Sequence, residues 1–237
     1  AEYNTAIGAG ALGSQAADAD GNIAIGDFAM GALNNAASLE NVAVGGYAAS
    51  GGTGQLIRTI SIGKNALNST GTANLTGAIA IGYNAGTAIN HANAQSSTLV
   101  GYLCGDAITS GAENTAFGYE ALSSIETNTA NVAIGYRAMS GGGGGQNIAI
   151  GADAMYQGPT GGTNYAIGRY TMMDCNAGAT ALSSNSNIAF GHSALGGTWA
   201  DAASNYNIAI GHYALDAGVN GALRNIAIGY EALTDLT

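Results

Sequence analysis

Few residues in this sequence could do chemistry, and most of them stand alone. His192 and His212 each follow the glycine of a phrase that the chain repeats, so we expect them on neighbouring turns of a repeating fold. Imidazoles gathered this way in an oligomer could hold a transition metal. In other copies the same column contains residues such as tyrosine, alanine and arginine, which favours an ordinary surface column. The pair is therefore a weak metal candidate, and we predict no metal and no cofactor.

Two motifs resemble ligand-binding loops without completing them. The stretch DADG at Asp18 lacks the later acidic ligand of a calcium loop, so we expect a plain turn. The stretch SGGGGGQ at Ser140 is not followed by the Lys-Ser/Thr of a phosphate loop, so we expect a connection between repeats. Cys104 and Cys175 lie several repeats apart and are expected to be unpaired. No group of residues has catalytic spacing, and we predict that the chain is not an enzyme.

Composition excludes several classes of partner. Of 237 residues only 8% are charged, and the formal net charge is −10. Nucleic acids and anionic membrane surfaces both require clustered Lys and Arg, so neither is expected as a partner. The chain also has no apolar run long enough to cross a bilayer, and no membrane insertion is expected.

The candidate residues must lie on a repeating fold, because one phrase recurs along the whole length of the chain. The phrase NIAIGYEAL at Asn225 is one of 13 related copies, with spacings of 16 to 23 residues. A constant segment with a variable remainder is typical of a solenoid, in which each copy forms one rung. The copies align on Gly8, Gly26, Gly45, Gly63, Gly82, Gly101, Gly118, Gly135, Gly151, Gly168, Gly191, Gly211 and Gly229.

Within each copy, the residues before the glycine predict a short strand. They alternate β-branched residues with alanine, so Ile226 and Ile228 face one way and Ala227 the other. We expect the two isoleucines, together with Leu233, to fill the inside of the coil. The alanine face, small and apolar, is then expected against another chain rather than under the chain's own loops. The asparagine before each strand is expected at a turn or in a ladder of stacked amides.

The predicted fold is therefore all-β, a parallel β-solenoid (β-roll) of about 13 short rungs. It forms a single repeat domain over residues 1–237, most simply in a homotrimer.

Surface recognition, if the fold has any, is expected at aromatic residues. Four successive copies carry tyrosine after the glycine, which predicts either a recognition stripe or cross-rung pairs that stabilise the sheet. Trp199 lies in a long connection and is either an exposed recognition residue or a loop anchor. The next column reads Glu120, Arg137, Asp153 and predicts a ladder of alternating charge. The tyrosines are Tyr83, Tyr102, Tyr119 and Tyr136.

The repeats resemble those of phage tail fibres and related virion fibre proteins. The phrases that carry the resemblance are NTAIGAGAL at Asn4, NTAFGYEAL at Asn114 and NVAIGYRAM at Asn131. They are also similar to the β-roll head repeats of trimeric autotransporter adhesins, although the spacing here is longer and less regular. The resemblance implies a homotrimer on a virion or at the cell surface, in contact with host glycan or protein.

The expected function is a structural fibre protein, the rigid trimeric shaft or head of a virion fibre. The alternatives are a bacterial surface adhesin and a self-stacking extracellular filament, since the first and last repeats carry no polar capping rung. A glycan-active enzyme on a β-helix is a further alternative. It would need paired carboxylates on one face, whereas the acidic residues here are dispersed.

Overall fold

The structure, a computed structural model, confirms an all-β parallel β-solenoid. It describes residues 2–14, 18–32, 38–72, 74–91, 94–175, 183–199, 202–217 and 221–234, and these contain no α-helix. The chain divides into two compact units, Ala1–Phe117 and Gly118–Thr237. Both are built from the same short rung.

In the first unit, the repeated phrases form one parallel sheet with neighbouring strands in register. Ala6 lies opposite Ala24, and Ala43 lies opposite Ser61. The seven strands of this sheet among the described residues are β1 (Thr5–Ile7), β2 (Ile23–Ile25), β3 (Val42–Val44), β6 (Ile60–Ile62), β9 (Ile79–Ile81), β10 (Thr98–Val100) and β11 (Thr115–Phe117).

Two smaller parallel pairs add further faces to the coil of the first unit. The residues between β3 and β9 form them, and each pair joins one rung to the next. The pairs are β4 (Gly51–Gly52) with β7 (Ser69–Gly71), and β5 (Leu56–Ile57) with β8 (Leu75–Thr76).

The second unit repeats the arrangement with six strands among its described residues. Each pairs in parallel with the next, and alanine again lies opposite alanine, as for Ala209 and Ala227. The strands are β12 (Val132–Ile134), β13 (Ile148–Ile150), β14 (Tyr165–Ile167), β15 (Ile188–Phe190), β16 (Ile208–Ile210) and β17 (Ile226–Ile228). The two units together contain about 11 complete strand-to-strand turns.

The predicted orientation of the strands is wrong, because alanine faces inward and isoleucine outward. Ala227 is 2% exposed, whereas Ile226 and Ile228 are 64% and 68% exposed. The interior of the coil is narrow. The leucine or methionine four residues after the glycine, such as Leu215 or Met139, already fills it and is buried. Only a methyl-sized side chain then fits opposite, so the strand turns its alanine in.

Buried asparagines run beside the alanine column and form the predicted ladder. In the first unit the Asn41 amide NH₂ donates to Asn22 Oδ1 at 2.9 Å, and the Asn41 backbone N–H donates to the same oxygen at 3.1 Å. In the second unit Asn187 and Asn207 make the same pair of bonds, both at 3.0 Å. Each amide thereby satisfies a backbone group of the next rung, which makes burial of these polar side chains tolerable.

The glycine that ends each strand is required by close approach between rungs. Gly26 has φ of +133°, and a Cβ added there would come within 2.7 Å of the Gly45 carbonyl group. Any side chain would therefore clash with the backbone of the next turn as well as strain its own. This contact explains why the glycine is invariant across the 13 copies.

One irregular rung shows how the interior keeps its volume. Leu99 replaces the alanine of its strand and is buried. The two places that leucine would otherwise fill beside it hold Gly86 and Gly105, and a Cβ on either would come within 3.0 Å or less of the Leu99 methyl groups. The large side chain has moved from one wall of the coil to the other, and the packing remains full.

Candidate interaction surfaces

The most extensive surface feature is the outward face of the sheet, which we call the isoleucine face. It consists of the first and third residues of the strands in each unit. In all 13 copies these positions hold Ile, Val, Thr, Tyr or Phe, and no charged residue occurs at either. Phe117 and Phe190 are exposed here, and residues in the middle of each unit such as Ile62 and Ile210 remain more than a third exposed. An exposed apolar face of this kind is a candidate interaction surface.

The tyrosine column forms cross-rung stacks. Tyr83 and Tyr102 stack in the first unit, with ring centroids 5.2 Å apart and planes 13° apart. Tyr119 and Tyr136 stack in the second unit, at 5.3 Å and 16°. All four side chains are exposed, but within each pair one ring face is taken up by its neighbour. The structure therefore brings these residues together in pairs that stabilise the sheet.

The predicted charge ladder is confirmed for one pair. Arg137 contacts Asp153 at 2.9 Å through Nε and at 2.7 Å through Nη2. Its guanidinium group also lies over the ring of Tyr156, 4.4 Å from the centroid. The hydrogen bond to Asp153 raises the pKa of Arg137 from its ordinary value. The ion pair between Arg137 and Asp153 joins two neighbouring turns. The Arg137 guanidinium is thereby engaged and has little freedom to bind another partner.

His192 and His212 lie on neighbouring turns as predicted, with ring centroids 6.1 Å apart and planes 15° apart. His192 also makes edge contacts with Tyr170 and Tyr213, and its Nδ1 lies 3.1 Å from the Ser193 hydroxyl. Parallel rings at this separation do not aim their nitrogens at one point. No group of three or more His, Cys, Asp or Glu suited to a metal occurs among the described residues.

Trp199 is buried, so of its two predicted roles the structure supports the loop anchor and contradicts the exposed recognition residue. Its indole N–H donates to the Leu195 carbonyl at 3.2 Å, and its backbone N–H donates to the Asp174 carbonyl. The side chain is a loop anchor that fastens a long connection to the rung. Residues 200–201 of that connection lie outside the described residues, as do residues 176–182 of the other long connection.

The two cysteines form no disulfide with each other, as the repeat spacing predicts, and both are buried. Cys104 occupies an alanine position of its rung, where a small apolar side chain fits. Burial raises the pKa of the Cys175 thiol well above its ordinary value, and Asp174 adds to the shift. Both side chains pack as small apolar groups, and the raised pKa makes the Cys175 thiol a poor nucleophile.

A cavity beside two aromatic side chains is the feature that sequence reasoning missed. It has a volume of about 310 Å³ and is lined by Phe28, Gly31, Ala32, Tyr47 and Ser50. The two rings stack across neighbouring rungs, 5.4 Å apart. The available signal was a pair of aromatics two residues after successive repeat glycines, followed by small residues.

Comparison of the chain with protein-family models, curated proteins and solved structures finds no match. The described residues form no helix that could cross a bilayer. The identification therefore rests at the level of the fold, a repetitive parallel β-solenoid.

Proposed function

We propose that the protein is a structural fibre protein, the trimeric shaft or head of a virion fibre. The observation that carries the proposal is the isoleucine face, an apolar surface that continues along the sheet of each unit. Exposed apolar area of this extent is unfavourable in water and is stabilised when a second apolar surface covers it.

A second copy of the chain is the occupant that fits this face best. The strands repeat with a constant register in each unit, so an identical chain presents side chains at the same axial spacing. Because both outward positions of all 13 copies are uncharged, a self-complementary contact would avoid the cost of desolvating charged groups. Threefold packing would cover the face in every copy, and the likeness of the repeats to virion fibre and adhesin sequences supports a trimer over a dimer.

We expect host contact on parts of the coil other than the isoleucine face. The connections between rungs vary in length from copy to copy, and variable loops on a rigid scaffold are where recognition is usually found. The fibre would act outside the cell, on a virion or at a surface, and the proposal assigns it no catalytic role.

Electron microscopy of the purified chain tests the fibre proposal. We expect separate elongated particles whose class averages have threefold symmetry. Long continuous threads would instead support the extracellular filament, in which copies stack end to end. Single-chain particles would contradict both readings, because the isoleucine face would then stay exposed.

A further inference from the structure

The cavity between the second and third rungs has the chemistry of a small binding site. Its walls are the Phe28–Tyr47 stack on one side and Gly31 and Ala32 on the other, with Ser50 completing the lining. The second wall is made of small residues, since Gly31 has no side chain and Ala32 has only a methyl group. A volume of about 310 Å³ is at the lower limit of small-molecule sites and suits a single sugar-sized ring.

Both faces of the Phe28 ring are covered, so Phe28 offers its ring edge to the cavity. Tyr47 covers one face of Phe28, and Gly10 lies against the ring so closely that a Cβ there would come within 2.7 Å of a ring carbon. The edge of an aromatic ring carries partial positive charge and attracts oxygen atoms. A ligand rich in hydroxyl groups therefore suits this wall better than a hydrocarbon or another aromatic ring.

The hydroxyl of Ser50 provides a hydrogen-bond acceptor. Its proton is donated to Asn68 Oδ1 at 2.7 Å, which fixes the group and leaves its oxygen lone pairs to accept from a ligand hydroxyl. None of the described residues that line the cavity carries a charged side chain, and the chain as a whole has a net charge of −10. This electrostatic setting disfavours an anionic ligand.

We propose that this cavity binds a neutral monosaccharide unit of a surface glycan. The glycan source rests on the proposed fibre function, whereas binding of the sugar itself does not. The ring edges would contact the ligand oxygens, Ser50 would accept a hydroxyl hydrogen bond, and Ala32 would set the width of the site.

Saturation-transfer difference NMR on the purified chain tests the proposal. The probes are the methyl glycosides of glucose, galactose, mannose and N-acetylglucosamine, with N-acetylneuraminic acid as the anionic comparison. We expect transfer to at least one neutral probe and none to the anionic one. Ala32→Leu, which fills the cavity, and Phe28→Leu, which removes the ring edge, should each weaken binding at least about tenfold, as expected for loss of one well-placed contact.

Tyr83→Leu is the matched control, because it removes an exposed stacked aromatic away from the cavity and should leave binding unchanged. Circular dichroism on each variant verifies that the β-solenoid is intact. Transfer to none of the neutral probes, or equal binding in Ala32→Leu, would overturn the proposal. An assembled oligomer that binds no sugar would overturn this inference alone. A monomer that binds would support it and contradict the fibre proposal.

Discussion

At the residue scale, Ser61 stands where its neighbours have alanine. It lies between Ala43 and Ala80 in the sheet and is fully buried. Its hydroxyl has no hydrogen-bond partner among the described residues. On folding, a buried hydroxyl without a partner loses its hydrogen bonds to water and forms no others, so it lowers the stability of the fold.

Replacing Ser61 with alanine should therefore stabilise the fold. We expect Ser61→Ala to raise the free energy of unfolding by about 1 kcal/mol, the usual cost of an unsatisfied buried hydroxyl. Urea unfolding measures the change. Ser38→Ala is the control and should destabilise, because the Ser38 hydroxyl accepts from the Leu56 N–H at 3.1 Å. If Ser61→Ala lowers the midpoint instead, the serine has a partner that this account lacks.

A second residue-scale effect concerns the left-handed backbone five residues before each repeat glycine. Ala130 has φ of +58° there, while the chain itself uses Gly21 and Gly77 at the same place in other rungs. A positive φ strains an alanine because of its Cβ, whereas a glycine adopts this conformation without strain.

Ala130→Gly should accordingly stabilise the chain by roughly 0.5–1 kcal/mol, the strain relieved less the extra chain entropy that glycine loses. Ala133→Gly, three residues on in an extended strand, should destabilise, because glycine loses more chain entropy and a buried methyl group is removed. Thermal unfolding of the two variants provides the comparison. A loss of stability in Ala130→Gly would mean that its methyl group packs more strongly than the backbone is strained.

At the scale of the rung, Leu99 and Gly105 share one interior volume. Leu99→Ala alone should leave a cavity and cost about 2–5 kcal/mol, as buried leucine truncations do. Gly105→Leu alone should overpack against Leu99 and also destabilise. The double variant restores the pattern of the other rungs, and we expect it to recover at least half of the summed loss.

A double-mutant cycle from chemical unfolding measures this coupling. Leu122→Ala is a matched leucine truncation in a regular rung. In that rung we do not expect a second substitution that introduces a leucine to recover the stability that the truncation loses. Strictly additive losses for Leu99→Ala and Gly105→Leu would contradict the shared interior.

The rung also shows what sequence could and could not predict. The repeat, the parallel strands and the amide ladder follow from the periodic Asn, β-branched residues and Gly. The direction of the strand did not follow from hydrophobicity, because alanine and isoleucine are both apolar. The signal that was missed is the two-residue period of a strand, which places residues two apart on the same face. The asparagine and the alanine lie two residues apart on one face, so an asparagine buried in a ladder, as Asn22 and Asn207 are, requires the alanine inside.

Loop positions were harder to predict for a different reason. Trp199 is buried, and its N–H groups donate to the carbonyls of Leu195 and Asp174. A connection of variable length has no period, so the sequence left both roles of Trp199 open. The Phe28–Tyr47 cavity likewise depends on which small residues happen to lie beside two aromatic rings.

At the scale of the whole molecule, the central claim is that copies of the chain cover one another's isoleucine face. The two faces of a strand then respond differently to the same change. Ala209→Glu places a charge in the buried interior and should abolish folding of its rungs, whereas Ile210→Glu points to the outside and should leave the coil intact. Circular dichroism separates the two, and loss of strand signal in both would contradict the assigned directions.

The most direct test is the mass in solution, measured by sedimentation equilibrium, of the chain and of a variant with Glu at Ile60, Ile62, Ile208 and Ile210. Ile→Val at the same four positions is the control, since it keeps the face apolar. We predict three times 23.2 kDa, about 70 kDa, for the chain and its control, and 23.2 kDa with unchanged circular dichroism for the Glu variant. A single-chain mass for the unmodified protein, or an unchanged oligomer in the Glu variant, would contradict the account.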